Sequence, residues 1–312
     1  MSPAKNLPPA GTNSVPHDDE HDDDKPIGRL LSRREVLALI GGSGAALLFG
    51  AGFTRVASAR QAATATSSAA ATAFPTCVVR PEMTEGPYFV DTMLNRRDIR
   101  FDSAGNVKPG IPMRLIFNVS SITANACTPL EGAQVDIWHC DAEGEYSGVQ
   151  DGGFDTTGEY WLRGYQVTDA NGIAEFITIY PGWYSGRAVH IHFKIRVQLG
   201  ETSAYEFTSQ LFFPEDMNAL IFEQEPYAAK GLADTPNARD SIYQNGGDQL
   251  LLAFNPITAA ALTEAANAQS TAEPESTPEP IFIEQDGYEA IFSIGLDLTD
   301  ASVGAADGFG RR

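Results

Sequence analysis

The pattern that most restricts how this chain can fold is an alternation of apolar residues at every second position. Val189, Ile191, Phe193, Ile195 and Val197 alternate in this way, as do Ile111, Met113, Leu115, Phe117 and Val119. A period of two places one residue set on one face of an extended strand, whereas a helix repeats near 3.6 residues. Turn-forming runs separate such segments: Asp102-Ser103-Ala104-Gly105-Asn106, Asp169-Ala170-Asn171-Gly172 and Tyr180-Pro181-Gly182. Short strands with turns between them predict an all-β fold, a two-sheet β-sandwich core with a few short helices. Helix is expected only over Pro214 to about Ala229 and Asp240 to Tyr243.

The N-terminus has a different character. Residues up to about Pro26 are polar and carry the acidic run HDDEHDDD, which reads as disordered. Ser32-Arg33-Arg34 then precede a Gly/Ala-rich apolar run from Val36 to Phe53 and a small-residue site, Ala57-Ser58-Ala59. A twin arginine, a mildly apolar segment and an Ala-x-Ala site describe a twin-arginine export signal. The alternative is a retained anchor, but this glycine-rich run is short for crossing a bilayer, so no stable membrane insertion is expected. The expected organisation is 1–59 acidic N-terminus and signal peptide, 60–74 linker, 75–300 sandwich domain with a disordered insertion at 266–280, and 301–312 tail. The protein is expected in the periplasm or outside the cell.

Charge and cysteine usage narrow the partners. The chain has 21 Lys and Arg against 41 Asp and Glu, a net charge of −20. Removing residues 1–59 changes this little, and such a balance excludes nucleic acid and anionic membrane surfaces as partners. The three cysteines are Cys77, Cys127 and Cys140. Export permits a disulfide and the odd count leaves one thiol over. Cys77 and Cys127 each lie near a proline at the margin of a strand-like run, so the expected bridge is Cys77–Cys127, with Cys140 free and buried.

Beyond residue 59 the histidines are His139, His190 and His192. His190 and His192 are two apart on the alternating strand and project together, away from the face built by Val189, Ile191 and Phe193. With a further donor nearby such a pair suits a transition metal; alone it is also an ordinary strand feature. Tyr184 stands six residues before His190 across a Gly-containing bend and can fold back over the strand face. A trivalent iron can hold its phenol deprotonated far below the usual value of about 10. A packed aromatic turn is the alternative.

These residues carry a family resemblance. PGWYSGRAVHIHFKI at 181–195 resembles the metal-binding signature of intradiol ring-cleavage dioxygenases, especially an exported branch with a short Tyr-to-Arg spacing. Upstream, GAQVDIWHCDAEGEYSG resembles that family's other ligand segment, in which a tryptophan (Trp138) is followed eight residues later by a ligand tyrosine (Tyr146). EMTEGPYFVD at 82–91 is similar to the Gly-Pro segment lining the substrate pocket, and Gln210 in FTSQLFF to a pocket glutamine. The resemblance covers about residues 77–299 apart from the expected insertion. It implies one Fe(III) per chain held by Tyr146, Tyr184, His190 and His192. It further implies Arg187, Tyr184 and Gln210 as catalytic residues and Pro87, Tyr88 and Trp183 as substrate contacts. The implied reaction cleaves an aromatic diol between its hydroxyls with O₂, giving a muconate-type diacid.

Other details stay open. His139 is expected to be a structural group beside the site, and Tyr160, Trp161 and Tyr165 core or pocket wall. The family's cytoplasmic members dimerise through an N-terminal helical region that residues 60–76 are too short to supply, so the oligomeric state is open. Catechol, hydroxyquinol, protocatechuate and lignin-derived diols all remain candidate substrates. A non-enzymatic ligand-binding sandwich would leave the four ligands vestigial. A cupin-like Fe(II) site would want a carboxylate near the histidine pair, and residues 180–189 contain none.

Overall fold

A computed structural model describes residues 78–123, 126–200, 204–268 and 281–299. The export signal, the linker, Cys77, most of the expected insertion and the tail lie outside them.

Among the described residues, the alternating segments form nine strands in two sheets. They are β1 (Pro112–Thr123), β2 (Ala126–Pro129), β3 (Gln134–Trp138), β4 (Arg163–Val167), β5 (Ile173–Ile179), β6 (His190–Gln198), β7 (Ala204–Phe212), β8 (Phe254–Ile257) and β9 (Gly287–Leu296). One sheet runs β2–β1–β9–β8, with β5 also antiparallel to β1 and β9 parallel to it. The other runs β4–β3–β6–β7, every pairing antiparallel. The alternating apolar residues meet between the sheets, as the sandwich prediction requires. Leu115, Phe117, Val135, Ile191, Phe193 and Ile195 are fully buried there. The Phe193 ring lies 5.4 Å from Phe117 and 5.4 Å from Phe292, which joins β6 to β1 and β9. Truncating Phe193 to alanine would cost roughly 3–5 kcal/mol and loosen the strand that bears both histidines.

Because β6 gives its odd-numbered residues to the core, His190, His192, Lys194 and Arg196 face outward from the sandwich. Register places His192 between Trp138 on β3 and Gln210 on β7, and His190 beside Phe212. Residues 82–91 cross this outer face as a strap. Ion pairs of Lys194 with Glu85 and of Arg196 with Asp91 fasten it, and Phe89 meets Trp138 edge-on at 4.8 Å.

Helix is sparse, and its placement differs in part from expectation. α1 (Glu215–Ile221) and a 3₁₀ turn at Tyr227–Ala229 fall inside the expected run. Residues 240–243 do not form the expected helix: short 3₁₀ turns at Asn237–Arg239 and Tyr243–Asn245 flank an extended Asp240. Asp240 acts as a cap instead: its carboxylate accepts the N–H groups of Ile242 and Tyr243, and the turn it starts ends after Asn245 at Gly246, φ +113°. α2 (Ala259–Asn267), capped by Thr258, buries Leu262, Ala265 and Ala266 beside Ile177. Ala266 and Asn267 thus end a helix rather than open a disordered insertion. Trp161 is buried against Leu162 and Ile179, whereas Tyr160 is 42% exposed and lies outside the core. Cys127 is disulfide-bonded, and Cys140 is a buried free thiol.

Candidate active site

The site is built where the outer face of β6 meets two loops, each presenting a tyrosine. Residues 139–147 follow β3, and Asp141 organises their turn. Its Oδ1 accepts the N–H groups of Glu143 and Glu145, and its own N–H donates to the Glu145 carbonyl. That turn delivers Tyr146, 1% exposed, over the histidine face. The second loop follows β5 and is tied to the first, since Gly182 N donates to the Asp141 carbonyl at 3.0 Å. A side chain at 182 would collide with the Asp141 and Ala142 carbonyls, so glycine permits the crossing that brings Tyr184 beside Tyr146. The two phenol rings stand edge-on at 5.8 Å.

Four donor atoms converge on one point. His190 Nε2 lies 3.0 Å from His192 Nε2, 3.1 Å from Tyr184 Oη and 3.4 Å from Tyr146 Oη. His190 Nδ1 is 2.6 Å from the Ala188 carbonyl, which can only accept, so Nδ1 carries the proton and Nε2 turns its lone pair inward. Trp138 stacks on His192 at 5.0 Å with ring planes 7° apart, fixing that imidazole. Gly86 passes close to the same imidazole in a left-handed conformation, φ +72°, where an added Cβ would sit 3.1 Å from His192 Cε1.

Burial dictates the protonation states. It lowers the His190 pKa to about 3 and that of His192 well below its ordinary range, so both imidazoles are neutral ligand-type nitrogens. The same burial pushes Tyr184 up to about 12 and Tyr146 well above its usual value. Two phenols that resist ionisation, facing two neutral imidazoles, ionise together only if a strong cation is placed among them. His192 Nδ1 is also buried without a hydrogen-bond partner among the described residues. Two nitrogens plus two potential phenolates suit a hard trivalent ion such as Fe(III), and two phenolates would offset most of its charge.

The other expected residues fall in distinct places. Arg187 Nε pairs with Asp240 Oδ2 at 3.0 Å, and its Nη2 donates to Gln210 Oε1 at 2.6 Å. Gln210 is fully buried and also donates to the Thr84 carbonyl, so its amide links Arg187 to the strap. Tyr88 stacks on Tyr146 at 4.5 Å and stands edge-on to Tyr184 at 6.4 Å. Pro87 is exposed at the turn of the strap. Trp183 instead donates its indole N–H to the Gly231 carbonyl and lies under Lys230. His139 is fully buried between the Cys140 carbonyl and Thr178 Oγ1, a structural role as expected.

Two supports escaped sequence reasoning. Arg163, 1% exposed, donates to the carbonyls of Ser147 and Tyr88, with its guanidinium 5.9 Å from the Tyr146 ring. An arginine in the short strand run RGYQV was its only signal. Asp240 holds Arg187 from 53 residues away and left no spacing signal.

A family model described as Dioxygenase matches residues 84–237, the span that holds all four donors, Arg187 and Gln210. An intradiol ring-cleavage dioxygenase from Tetranychus urticae is similar at 25% identity and TM-score 0.54, over 71% of this chain and 95% of that one. A second solved dioxygenase is similar at 26% identity and TM-score 0.53, with the same two coverages of 71% and 95%. No curated protein sequence matches. No helix among the described residues is long and apolar enough to cross a membrane. With family model, fold and solved relatives in agreement, the chain belongs to the intradiol ring-cleavage dioxygenases, oxidoreductases that open catechol-type rings.

Proposed function

We propose that this enzyme is exported by the twin-arginine route and cleaves a catechol-type diol between its hydroxyls, using one Fe(III) per chain held by Tyr146, Tyr184, His190 and His192. The observation that carries this reading is the convergence of two phenol oxygens and His192 Nε2 on His190 Nε2, within 3.0–3.4 Å. These four donors include no carboxylate, and among the described residues the acidic cluster with metal-ligand spacing, Asp141, Glu143 and Glu145, is a separate group.

Bound there, iron supplies a Lewis-acidic centre that draws electron density from a chelated diol and makes a ring carbon reactive toward O₂. The chain's own residues do the rest. Tyr184 is half-buried whereas Tyr146 is 1% exposed, so the Tyr184 phenolate oxygen is the one placed to take a proton from an arriving hydroxyl. Tyr146 stays fixed beneath Tyr88. Arg187, its side chain 13% exposed, holds a positive charge toward the oxygen-rich side of the product. Gln210 keeps that guanidinium in place. Tyr88, Phe89 and Val149 wall the site with apolar surface and exclude water from the reacting ring. Both atoms of O₂ enter the product, and the ring opens to a diacid.

The test is spectroscopic and chemical together. Iron-loaded protein should be burgundy to red-brown from phenolate-to-iron charge transfer, and Tyr184→Phe should shift that band and slow turnover at least about 100-fold. Catechol should consume one O₂ per turnover and give an ultraviolet-absorbing diacid. A colourless, iron-free, fully active preparation would falsify the cofactor assignment. A yellow semialdehyde would mean cleavage beside the diol. Export is tested by Arg33→Lys with Arg34→Lys, which should leave the protein in the cytoplasm.

A further inference from the structure

We infer that Asp151 makes the site selective for uncharged diols, against catechols whose ring bears a carboxylate. The inference rests on the ring-cleaving reading above and names the substrate class within it.

Asp151 stands on an exposed hairpin closed by a bridge between Gln150 and Asp155, and its N–H donates to the Phe154 carbonyl at 2.9 Å. The base of this hairpin is tied to an iron-ligand candidate, because Thr156 Oγ1 donates to the Tyr146 carbonyl at 2.6 Å. At its tip the Asp151 carboxylate accepts the Tyr88 hydroxyl. The Tyr88 ring in turn lies 4.5 Å from Tyr146 and 6.4 Å from Tyr184. A carboxylate is therefore bonded to a ring that packs against both phenols, at the solvent side of the site.

Its charge meets no compensating partner. Among the described residues Asp151 forms no ion pair, and the cations around the site are engaged elsewhere. Arg187 is paired with Asp240, Lys194 with Glu85, and Arg196 with Asp91 and Asp136. Buried Arg163 donates to the carbonyls of Ser147 and Tyr88, and Lys230 to those of Glu143 and Trp183. A diol carrying its own carboxylate would approach a negative charge that has no ion-pair partner, while Arg187, Lys194 and Arg196 are already paired with carboxylates and Arg163 and Lys230 spend N–H donors on carbonyls. At a separation of about 7 Å, such a pair weakens binding about threefold in a water-like dielectric and about fiftyfold at a protein-surface dielectric. A neutral catechol or alkylcatechol meets no such penalty.

The test compares 4-methylcatechol with 3,4-dihydroxybenzoate, in anaerobic calorimetric binding and in O₂ uptake, for wild type, Asp151→Asn and Tyr88→Phe. Wild type should favour 4-methylcatechol about tenfold or more in both Kd and kcat/KM, and the preference should shrink as salt is raised. Asp151→Asn should reduce it at least about fivefold. Tyr88→Phe, which keeps the carboxylate and loses only the hydrogen bond, should retain it. An unchanged ratio in Asp151→Asn, or a wild type that binds the two diols alike, overturns the inference even if cleavage proceeds. Absence of cleavage with any diol in the iron-loaded protein would instead strike at the proposed function. The binding ratio would then still decide the role of Asp151.

Discussion

Asp240 and Arg187 meet through a single buried oxygen that also holds the chain entering β6. Asp240 Oδ2 accepts Arg187 Nε at 3.0 Å and the Ala188 N–H at 2.7 Å, while Oδ1 accepts the N–H groups of Ile242 and Tyr243. The Asp240 side chain is 0% exposed. Burial alone would raise its pKa, but Arg187 and these backbone donors prevail and hold it below the usual carboxylate range. One carboxylate thus sets both the direction of Arg187 and the position of Ala188, whose carbonyl fixes the His190 tautomer.

Asp240→Ala should therefore damage stability and catalysis together. Removing one partner of a buried pair costs about 3 kcal/mol or more, which in a domain of this size lowers Tm by roughly 6–12 °C. With Arg187 unanchored, kcat/KM should fall about 100-fold while bound iron stays near one per chain. Calorimetry, metal analysis and O₂ uptake check the three parts. Turnover unchanged by Asp240→Ala would show that Arg187 is positioned without Asp240.

The same pair shows which parts of this protein were legible in its sequence. Period-two alternation is a local property, so β1, β6 and the shared face of His190 and His192 were readable directly. Tyr184 was readable as a candidate donor because it lies six residues from His190, whereas Tyr146 was reached only through the resemblance of its segment to the family's. Asp240 and Arg163 act across the fold from other segments, and no local pattern marks a residue whose partner is set by tertiary packing. The run from Ala259 to Asn267 has good helix formers and a threonine cap. Its helix escaped notice because it lies next to a polar, proline-rich stretch. Trp183 sits in the motif, yet its indole turns to Gly231, a rotamer choice the backbone spacing does not encode.

Cys140 should be chemically silent in the native protein. It is 2% exposed, and burial with the neighbouring Asp141 pushes its thiol far above the ordinary range, so almost no thiolate forms at neutral pH. Iodoacetamide should add nothing to native protein, one adduct after denaturation without reduction, and three after reduction. Intact mass reads these directly. Three adducts before reduction would show that Cys127 is not bridged to Cys77.

His139 should make the fold acid-sensitive in a defined window. Burial lowers its pKa to about 4, against 6.5 for a solvated imidazole. The unfolded chain therefore takes up a proton at this residue between pH 6.5 and 4 while the folded chain does not. Its contribution, about 3 kcal/mol, is complete above pH 6.5 and is lost as pH falls toward 4. Denaturant midpoints measured across this range should fall with acid in wild type and fall less steeply in His139→Gln. Equal slopes would mean that His139 titrates alike in both states.

The close passage of Gly86 over His192 gives the last prediction. An alanine there carries two separate penalties: a left-handed backbone, φ +72°, and a Cβ only 3.1 Å from the imidazole edge. The backbone part alone is worth about 1–2 kcal/mol for an L side chain. Gly158 supplies the control, since its φ is +91° but an added Cβ would meet nothing within 4 Å. Gly158→Ala should lose about the same stability and keep its iron and turnover. Gly86→Ala should in addition displace His192 within its stack on Trp138 or lift the strap. Iron affinity should then drop about tenfold or more, with a matching loss of kcat. Metal titration of the two variants side by side separates the terms. Equal iron affinity in both would mean that the strap yields without moving His192.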